Sequence, residues 1–199
     1  MSYLRLEKAT PHEREILGVI RAAAWSKSLT PEEFCERNQR LYLHPFGQKC
    51  IDTYVLKNRE DKIVSSLDAL RVKVFLRADE REPSSLREAF LLASVITPPQ
   101  HRRKGYATVL LNRFLETQTT QVGVLYSDID PKFYEKWGFR LARIGVYEVA
   151  QPFVKNQLTI NQLDAQVWVD KVFDFRKSKF DRRSQNQLAL APDFLFFDW

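Results

Sequence analysis

The sequence predicts an α/β (α+β) fold, with one domain built in the order β-α-α-β-β-β-α-β-α-β. Three observations predict it. Two helix starts of the form Thr-Pro-x-Glu follow a short charged strand, and a hairpin of alternating strands comes next. An apolar run at 89–96 is then followed, after two prolines, by an amphipathic helix. At 199 residues and 44% hydrophobic content, the chain can bury a core without disulfides.

The first half of the chain is predicted to contain a strand, two helices and a hairpin. A strand at 3–8 precedes the first helix, which begins at Thr10 with a capping-box pattern. A second helix with the same start covers 30–40. Ile51–Lys57 and 63–76 alternate on either side of a polar turn and form the hairpin. The predicted buried stripe of the first helix consists of Ile16, Leu17, Ile20, Ala23 and Ala24.

Asp68 lies on the more apolar face of the second hairpin strand, by the two-residue period of a strand. A carboxylate in such a position must be paired, hydrated or functional. Two interpretations stay open. Asp68 is either a structural residue bonded to a neighbouring backbone group or to Arg71, or a base or amine-binding group at the floor of a substrate cleft.

A basic turn joins the central apolar strand to the central helix. It reads Arg-Arg-Lys-Gly-Tyr-Ala at 102–107. The first turn of a helix leaves N–H donors unpaired, and the helix dipole favours an anion there. Gly105 lets a phosphate approach the backbone without meeting a Cβ, and the three cations add positive charge. The turn therefore predicts a phosphate site, although it lacks the patterns of a P-loop and of G-x-G-x-x-G.

Residues 102–107 resemble the Q/R-x-x-G-x-G/A motif of the GNAT superfamily of acetyl-CoA-dependent N-acetyltransferases. Residues 133–139, Phe-Tyr-Glu-Lys-Trp-Gly-Phe, are similar to the F-Y-E-K-x-G-F segment that these proteins carry on a short later helix. Both matches occur in the family's order and at its usual separation. The resemblance implies a GNAT-like mixed, mostly antiparallel central sheet flanked by helices.

The resemblance also implies direct acetyl transfer from acetyl-CoA, as co-substrate, to a primary amine of a small molecule. It implies a bulge before the phosphate turn, where a backbone N–H meets the thioester oxygen. Tyr134 matches the family's tyrosine near the sulfur and would protonate the thiolate, unless it is only a packing aromatic. Ser127 replaces a frequent Asn, which leaves Asp128 as a candidate base beside Asp68. The implied cofactor-binding residues are Val95, Ile96, Thr97, Arg102, Arg103, Lys104, Gly105, Tyr106, Ala107 and Ser127.

A narrower resemblance concerns the acceptor. Trp25 and the segments 28–30, 65–68, 94–99 and 126–129 are together similar to the yeast lysine N6-acetyltransferase group. That resemblance implies free lysine as the acceptor, and a basic acceptor suits a cleft that contains Asp68 and Asp128. The alternative from another functional class is a catalytically silent acyl-CoA-binding regulatory or interaction module.

Composition limits the partners and the compartment. The net charge of +6 makes nucleic acid the obvious rival partner, but the dense basic cluster is already explained as a phosphate turn. No apolar run approaches a membrane span, and Cys35 and Cys50 are isolated, so we expect a cytoplasmic protein with no metal and no membrane partner. We expect a domain at 1–150 and an extension at 151–199, whose apolar end packs on that domain or on a second subunit of a homodimer.

Overall fold

A mixed β-sheet forms the centre of the computed structural model, which describes residues 3–77, 85–120, 122–127, 129–140 and 187–190. The sheet order is β1-β2-β3-β4-β5; strands β1 to β4 pair antiparallel with one another, and β5 pairs parallel with β4. A further strand, β6, pairs antiparallel with residues 74–77 of β3. The strands are β1 (Arg5–Lys8), β2 (Ile51–Lys57), β3 (Ile63–Arg77), β4 (Ser85–Ile96), β5 (Gly123–Leu125) and β6 (Gln187–Leu190).

The two long N-terminal helices begin as the sequence predicts. The Thr10 hydroxyl accepts from the backbone N–H of Glu13 at 3.2 Å, and the Glu13 carboxylate accepts from the Thr10 N–H at 2.8 Å. Thr30 and Glu33 repeat the same capping box. The described helices are α1 (Pro11–Trp25), α2 (Pro31–Leu43), α3 (Pro45–Cys50), α4 (Tyr106–Glu116) and α5 (Lys132–Glu135).

Helices cover both faces of the sheet. On one face, Leu17 of α1 is fully buried against Val55 of β2. On the other face α4 buries three side chains completely: Leu110, Leu111 and Phe114. The Phe114 ring meets other aromatic rings edge-on, with centroid distances of 5.1 and 5.5 Å. Each such side chain contributes roughly 1.5–3 kcal/mol by leaving water, so α4 is firmly attached to the strands that precede its phosphate turn.

Several boundaries differ from the sequence predictions. The buried stripe of α1 is rotated by about one residue and contains Arg21, whereas Ile16 is 42% exposed. Helix α3 was not predicted, although Pro45 stands at its first turn. The last strand of the predicted order falls on 139–149; residues 139–140 are described and form no strand, and 141–149 lie outside the described residues. In the C-terminal extension, the described part is β6, which no pattern predicted and which pairs with the end of β3, beyond the residues of β3 that pair with β2. Among the described helices, none combines the length and apolar character needed to cross a membrane.

A buried lysine ties the start of α1 to the sheet. The Nζ atom of Lys57 lies 2.7 Å from Oε1 of Glu13 and 2.9 Å from Oε2 of Glu7. Burial alone would raise the pKa of Glu13, but its hydrogen bonds with Lys57 and Thr10 outweigh burial and lower that pKa. Because the folded state holds this carboxylate ionised, its stabilising contribution is present above about pH 4.5 and is lost as the pH falls further.

We expect Glu13→Gln to lower the free energy of unfolding at pH 7 by about 1 kcal/mol more than Glu33→Gln does. Glutamine keeps both capping boxes, so the difference isolates the charge facing Lys57. The difference should shrink as the pH falls below about 4.5, because wild-type Glu13 then loses its charge as well. Denaturant unfolding from pH 7 to pH 3 measures it. Equal losses for the two variants at every pH would contradict this assignment.

Candidate active site

A β-bulge interrupts β4 immediately before the basic turn. Ser66 of β3 pairs with Ile96 and Asp68 pairs with Ala93, so two residues of β4 stand opposite one residue of β3. One of these two, Ser94, has a φ of 51° in the left-handed region. The parallel pairing with β5 ends at the same level, at Leu92. The strands β4 and β5 therefore part at the bulge, which is one residue earlier than the 95–97 segment implied by the family resemblance.

The end of β4 is fixed by a side chain of β3. The Ser65 hydroxyl donates to the carbonyl of Ile96 and also lies 3.0 Å from Oγ1 of Thr97. The Nε atom of Arg102 donates to the carbonyl of Thr97 at 3.1 Å. These contacts give the chain a defined path from the bulge to the turn.

The basic turn has the geometry of an anion site. Arg103 and Gly105 both have left-handed φ values, of 60° and 77°, and Gly105 is the N-cap of α4. In this part of the structure, the backbone N–H groups of 103–108 donate to no other backbone group. A Cβ added at Gly105 would meet no described atom within 4 Å, so the space above the turn is open. The turn therefore presents a row of N–H donors and three cationic side chains, Arg102, Arg103 and Lys104.

Helix α5 is docked onto α4 by two side chains of the second motif. The Nε1 atom of Trp137 donates to Oδ1 of Asn112 at 2.6 Å, and the Nζ atom of Lys136 donates to Oγ1 of Thr108 at 3.0 Å. The Lys136 ammonium group also lies over the Trp137 ring, 4.2 Å from its centroid. This docking turns Tyr134 inward, where it is 6% exposed and packs edge-on against Phe133.

A cavity of about 550 Å³ opens at the point where β4 and β5 part. Its walls bring together the bulge, the strand β5, α5 and one face of α2. Among the predicted site residues, Asp68, Val95, Ser127 and Tyr134 line it, whereas Asp128 lies outside the described residues. The described lining residues are Arg21, Trp25, Phe34, Arg37, Asn38, Leu41, Tyr42, Asp68, Leu92, Ala93, Ser94, Val95, Leu125, Tyr126, Ser127, Ile129 and Tyr134.

The carboxylate of Asp68 is occupied by four hydrogen bonds. Arg21 donates through both terminal nitrogens, at 2.7 and 3.1 Å. The hydroxyl groups of Tyr42 and Thr53 donate at 2.9 and 2.7 Å. Asp68 is 6% exposed and Arg21 is 2% exposed. The four hydrogen bonds therefore join α1, α2, β2 and β3. Arg71, one of the two structural partners considered for Asp68, is wrong, because Arg71 contacts Asp52 and the Lys49 carbonyl instead.

The protonation states in this network favour the structural interpretation of Asp68. Burial alone would lower the pKa of Arg21, but the Asp68 carboxylate outweighs burial and raises it, so the guanidinium stays charged. Burial raises the pKa of Tyr42, and the Asp68 charge raises it further. A carboxylate that already accepts from a cation and two hydroxyl groups is poorly placed to take a proton from a substrate.

The residues that bind the Asp68 carboxylate were not predicted from the sequence. Arg21, Tyr42 and Thr53 belong to three different elements that meet only in the folded chain. One signal was available, because Arg21 lies four residues after Leu17 on the buried side of α1. A charged residue in such a stripe requires a buried partner, and Asp68 was the unexplained buried carboxylate.

Together the split strands, the anion turn and the cavity define an acyl-CoA-dependent transferase of the GNAT fold. The family profile described as "Acetyltransferase (GNAT) domain" matches residues 6–142. The chain therefore belongs to this family and is an acetyl-CoA-dependent N-acetyltransferase. The expected fold class is confirmed. No curated protein matches the chain in sequence.

Solved structures share the fold at low sequence identity. A putative acetyl transferase from Pyrococcus furiosus is 16% identical with a TM-score of 0.54, and the match covers 74% of this chain and 99% of that chain. A predicted acetyltransferase from Clostridium acetobutylicum, solved with acetyl-CoA, is 14% identical with a TM-score of 0.54, covering 74% and 96%. The aminoglycoside N-acetyltransferase AAC(6')-Iy in complex with CoA is 13% identical with a TM-score of 0.52, covering 76% and 97%. At these identities, the likeness concerns the fold alone.

We expect Asp68→Asn to lower the free energy of unfolding by about 3–5 kcal/mol, because it leaves the Arg21 cation buried without a counter-ion. The double variant Arg21→Gln with Asp68→Asn removes both charges and keeps hydrogen-bonding groups. It should recover much of the lost stability. Denaturant unfolding of the three proteins measures both effects.

The same variants distinguish a positioning role of Asp68 from a role as general base. If Asp68 only positions the walls, the double variant regains the KM for the acceptor amine together with its stability. If Asp68 were the base, the double variant would be folded but would stay as slow in kcat as Asp68→Asn. Steady-state kinetics at saturating acetyl-CoA distinguishes the two results.

Proposed function

We propose that this protein transfers the acetyl group of acetyl-CoA directly to a primary amine of a small molecule within a ternary complex. The observation that carries the proposal is the cavity at the parting of β4 and β5, which has the bulge on one wall and Tyr134 on another. A site of this kind brings an amine and a thioester together, and proximity supplies much of the rate.

The bulge supplies the group that polarises the thioester. Ser94 and Val95 line the cavity at the point where β4 has an extra residue relative to β3. A backbone N–H from 95–97 would donate to the carbonyl oxygen of the thioester and stabilise the oxyanion that forms as the amine attacks. The new C–N bond then replaces the C–S bond, and CoA leaves as a thiolate.

Tyr134 supplies the proton for that thiolate. Its side chain lines the cavity next to the bulge and is held by the docking of α5 on α4. A phenol has an ordinary pKa of about 10, close to that of an alkyl thiol, so the transfer is nearly balanced. The amine gives up one proton on becoming an amide, and that proton restores the phenol.

The attacking amine must first lose its extra proton, since an alkylamine has a reference pKa of about 10.4. Of the two carboxylates considered as bases, Asp68 accepts four hydrogen bonds, and Asp128 remains a proposal. Ser127, its neighbour in the sequence, lines the cavity two residues after β5 ends at Leu125. Water in the open cavity is the other route for this proton.

Residues 102–107 would hold the pyrophosphate of acetyl-CoA. Their backbone N–H groups start α4, whose dipole favours an anion, and Arg103 has no hydrogen-bond partner among the described residues. The thioester would then lie along the parted strands, between this turn and Tyr134. Free lysine is the proposed acceptor, on the strength of the narrower resemblance.

We expect Gly105→Ala to raise the KM for acetyl-CoA about tenfold or more, because a methyl group would project into the space where the phosphate approaches. Gly138→Ala is a matched control. Gly138 also has a left-handed φ, of 82°, and an added Cβ there would also meet no described atom within 4 Å. Both variants should lose about 1 kcal/mol of stability. An equal change in KM for both would contradict the phosphate assignment.

The experiment that tests the function is release of CoA thiol over a panel of amines. The panel contains free lysine, polyamines, aminoglycosides and peptides with a free N-terminus. We expect turnover with a small-molecule amine, and with lysine above the others. Tight binding of acetyl-CoA without thiol release on any amine would favour the silent binding module instead.

With an amine from this panel that the enzyme acetylates, we expect Tyr134→Phe to lower kcat about a hundredfold at saturating acetyl-CoA, because the thiolate loses its proton donor. Tyr54→Phe is the control, since Tyr54 is a half-buried tyrosine that packs on Phe114 and does not line the cavity. Unchanged turnover by Tyr134→Phe would remove this tyrosine from the mechanism.

A further inference from the structure

The charges on the cavity wall do not favour a purely cationic acceptor. Among the described lining residues, the charged ones are Arg21, Arg37 and Asp68. Arg21 and Asp68 neutralise each other through two hydrogen bonds. The charge that remains on the described wall is therefore that of Arg37, which is positive. Because Arg21 neutralises Asp68, this carboxylate does not favour a basic acceptor.

Arg37 is exposed, packs on an aromatic ring and is not neutralised by a described carboxylate. Its guanidinium lies over the ring of Phe34, 4.8 Å from the centroid, and Phe34 is 4% exposed. In the described part of the chain, no carboxylate or carbonyl oxygen accepts from it. Arg40, one turn further along α2, differs because its guanidinium lies 3.8 Å from Glu36. A cation that packs on an aromatic face with its donors unused is suited to a planar anion.

Its neighbours on α2 extend the same surface. Phe34, Arg37, Asn38 and Leu41 follow the helical spacing of three and four residues, and all four line the cavity. Asn38 adds an amide that can both donate and accept. The α2 side of the cavity thus offers several donors for oxygen atoms.

We propose that the acceptor carries an anionic group, a carboxylate or a phosphate, and that Arg37 binds it while the amine faces the bulge. This inference rests on the proposed function and narrows its substrate class to amines that bear an anion. Free lysine fits the class through its α-carboxylate, whereas a simple diamine or polyamine does not. Arg37 is then the residue that determines specificity.

The test uses pairs of amines that differ only in the anion. Lysine is compared with cadaverine for the carboxylate, and glucosamine 6-phosphate with glucosamine for the phosphate. We expect kcat/KM to be about tenfold or more higher for the anionic member of one pair, and that pair identifies the anion. Arg37→Met keeps an apolar side chain on Phe34 and should abolish the preference through KM. Arg40→Met, the matched control, should leave it unchanged.

Two results would overturn the inference. In the first, the wild-type enzyme has the same kcat/KM for cadaverine and glucosamine as for their anionic partners. In the second, Arg37→Met lowers kcat/KM equally for both members of a pair. If no amine is turned over, the proposed function fails, and calorimetric binding of the same pairs to the CoA-loaded protein then decides the inference separately. Tighter binding of an anionic member that depends on Arg37 supports it; equal binding of both members, or binding of neither, contradicts it.

Discussion

The ion pair between Arg21 and Asp68 is the interaction on which the architecture of the site depends. It is almost fully buried, and its hydrogen bonds reach α1, α2, β2 and β3. A buried pair of this kind is weak evidence for net stability, because desolvation offsets much of the attraction. Its consequence is geometric instead. It fixes the helices that carry Trp25 and Arg37 relative to the strand that faces the bulge.

The bulge in β4 is the second constraint, and it acts on the other half of the site. A regular β4 would continue to pair with β5, and the cavity would close. The extra residue at 94–95 ends that pairing at Leu92, while Ser65 holds the end of the strand in place. The left-handed φ of Ser94 is the local conformational cost of this opening. The parting of β4 and β5 therefore depends on backbone geometry rather than on acidic or basic side chains.

This difference explains how much the sequence could predict. The hairpin, the capping boxes and the basic turn before α4 depend on neighbouring residues, so short patterns identified them. The bulge depends on the register between β3 and β4. Its left-handed residue is Ser94, and a serine does not indicate a left-handed φ as a glycine would. Arg21, Tyr42 and Asp68 come from three segments, so their pairing required the fold. Helix α3 was missed because its six residues show no full turn of apolar spacing.

The two sides of the cavity come from different parts of the chain, and this bears on how the acceptor is selected. The bulge, the turn and Tyr134 come from residues 93–134, the region that carries the family motifs. The α2 wall comes from 34–42, where no motif was found, and its chemistry is set by a few side chains on one helix face. Proteins that share this fold at 13–16% identity can therefore differ at this wall. Among the described residues Arg37 has no ion-pair partner, and it is the feature from which the substrate class is best inferred.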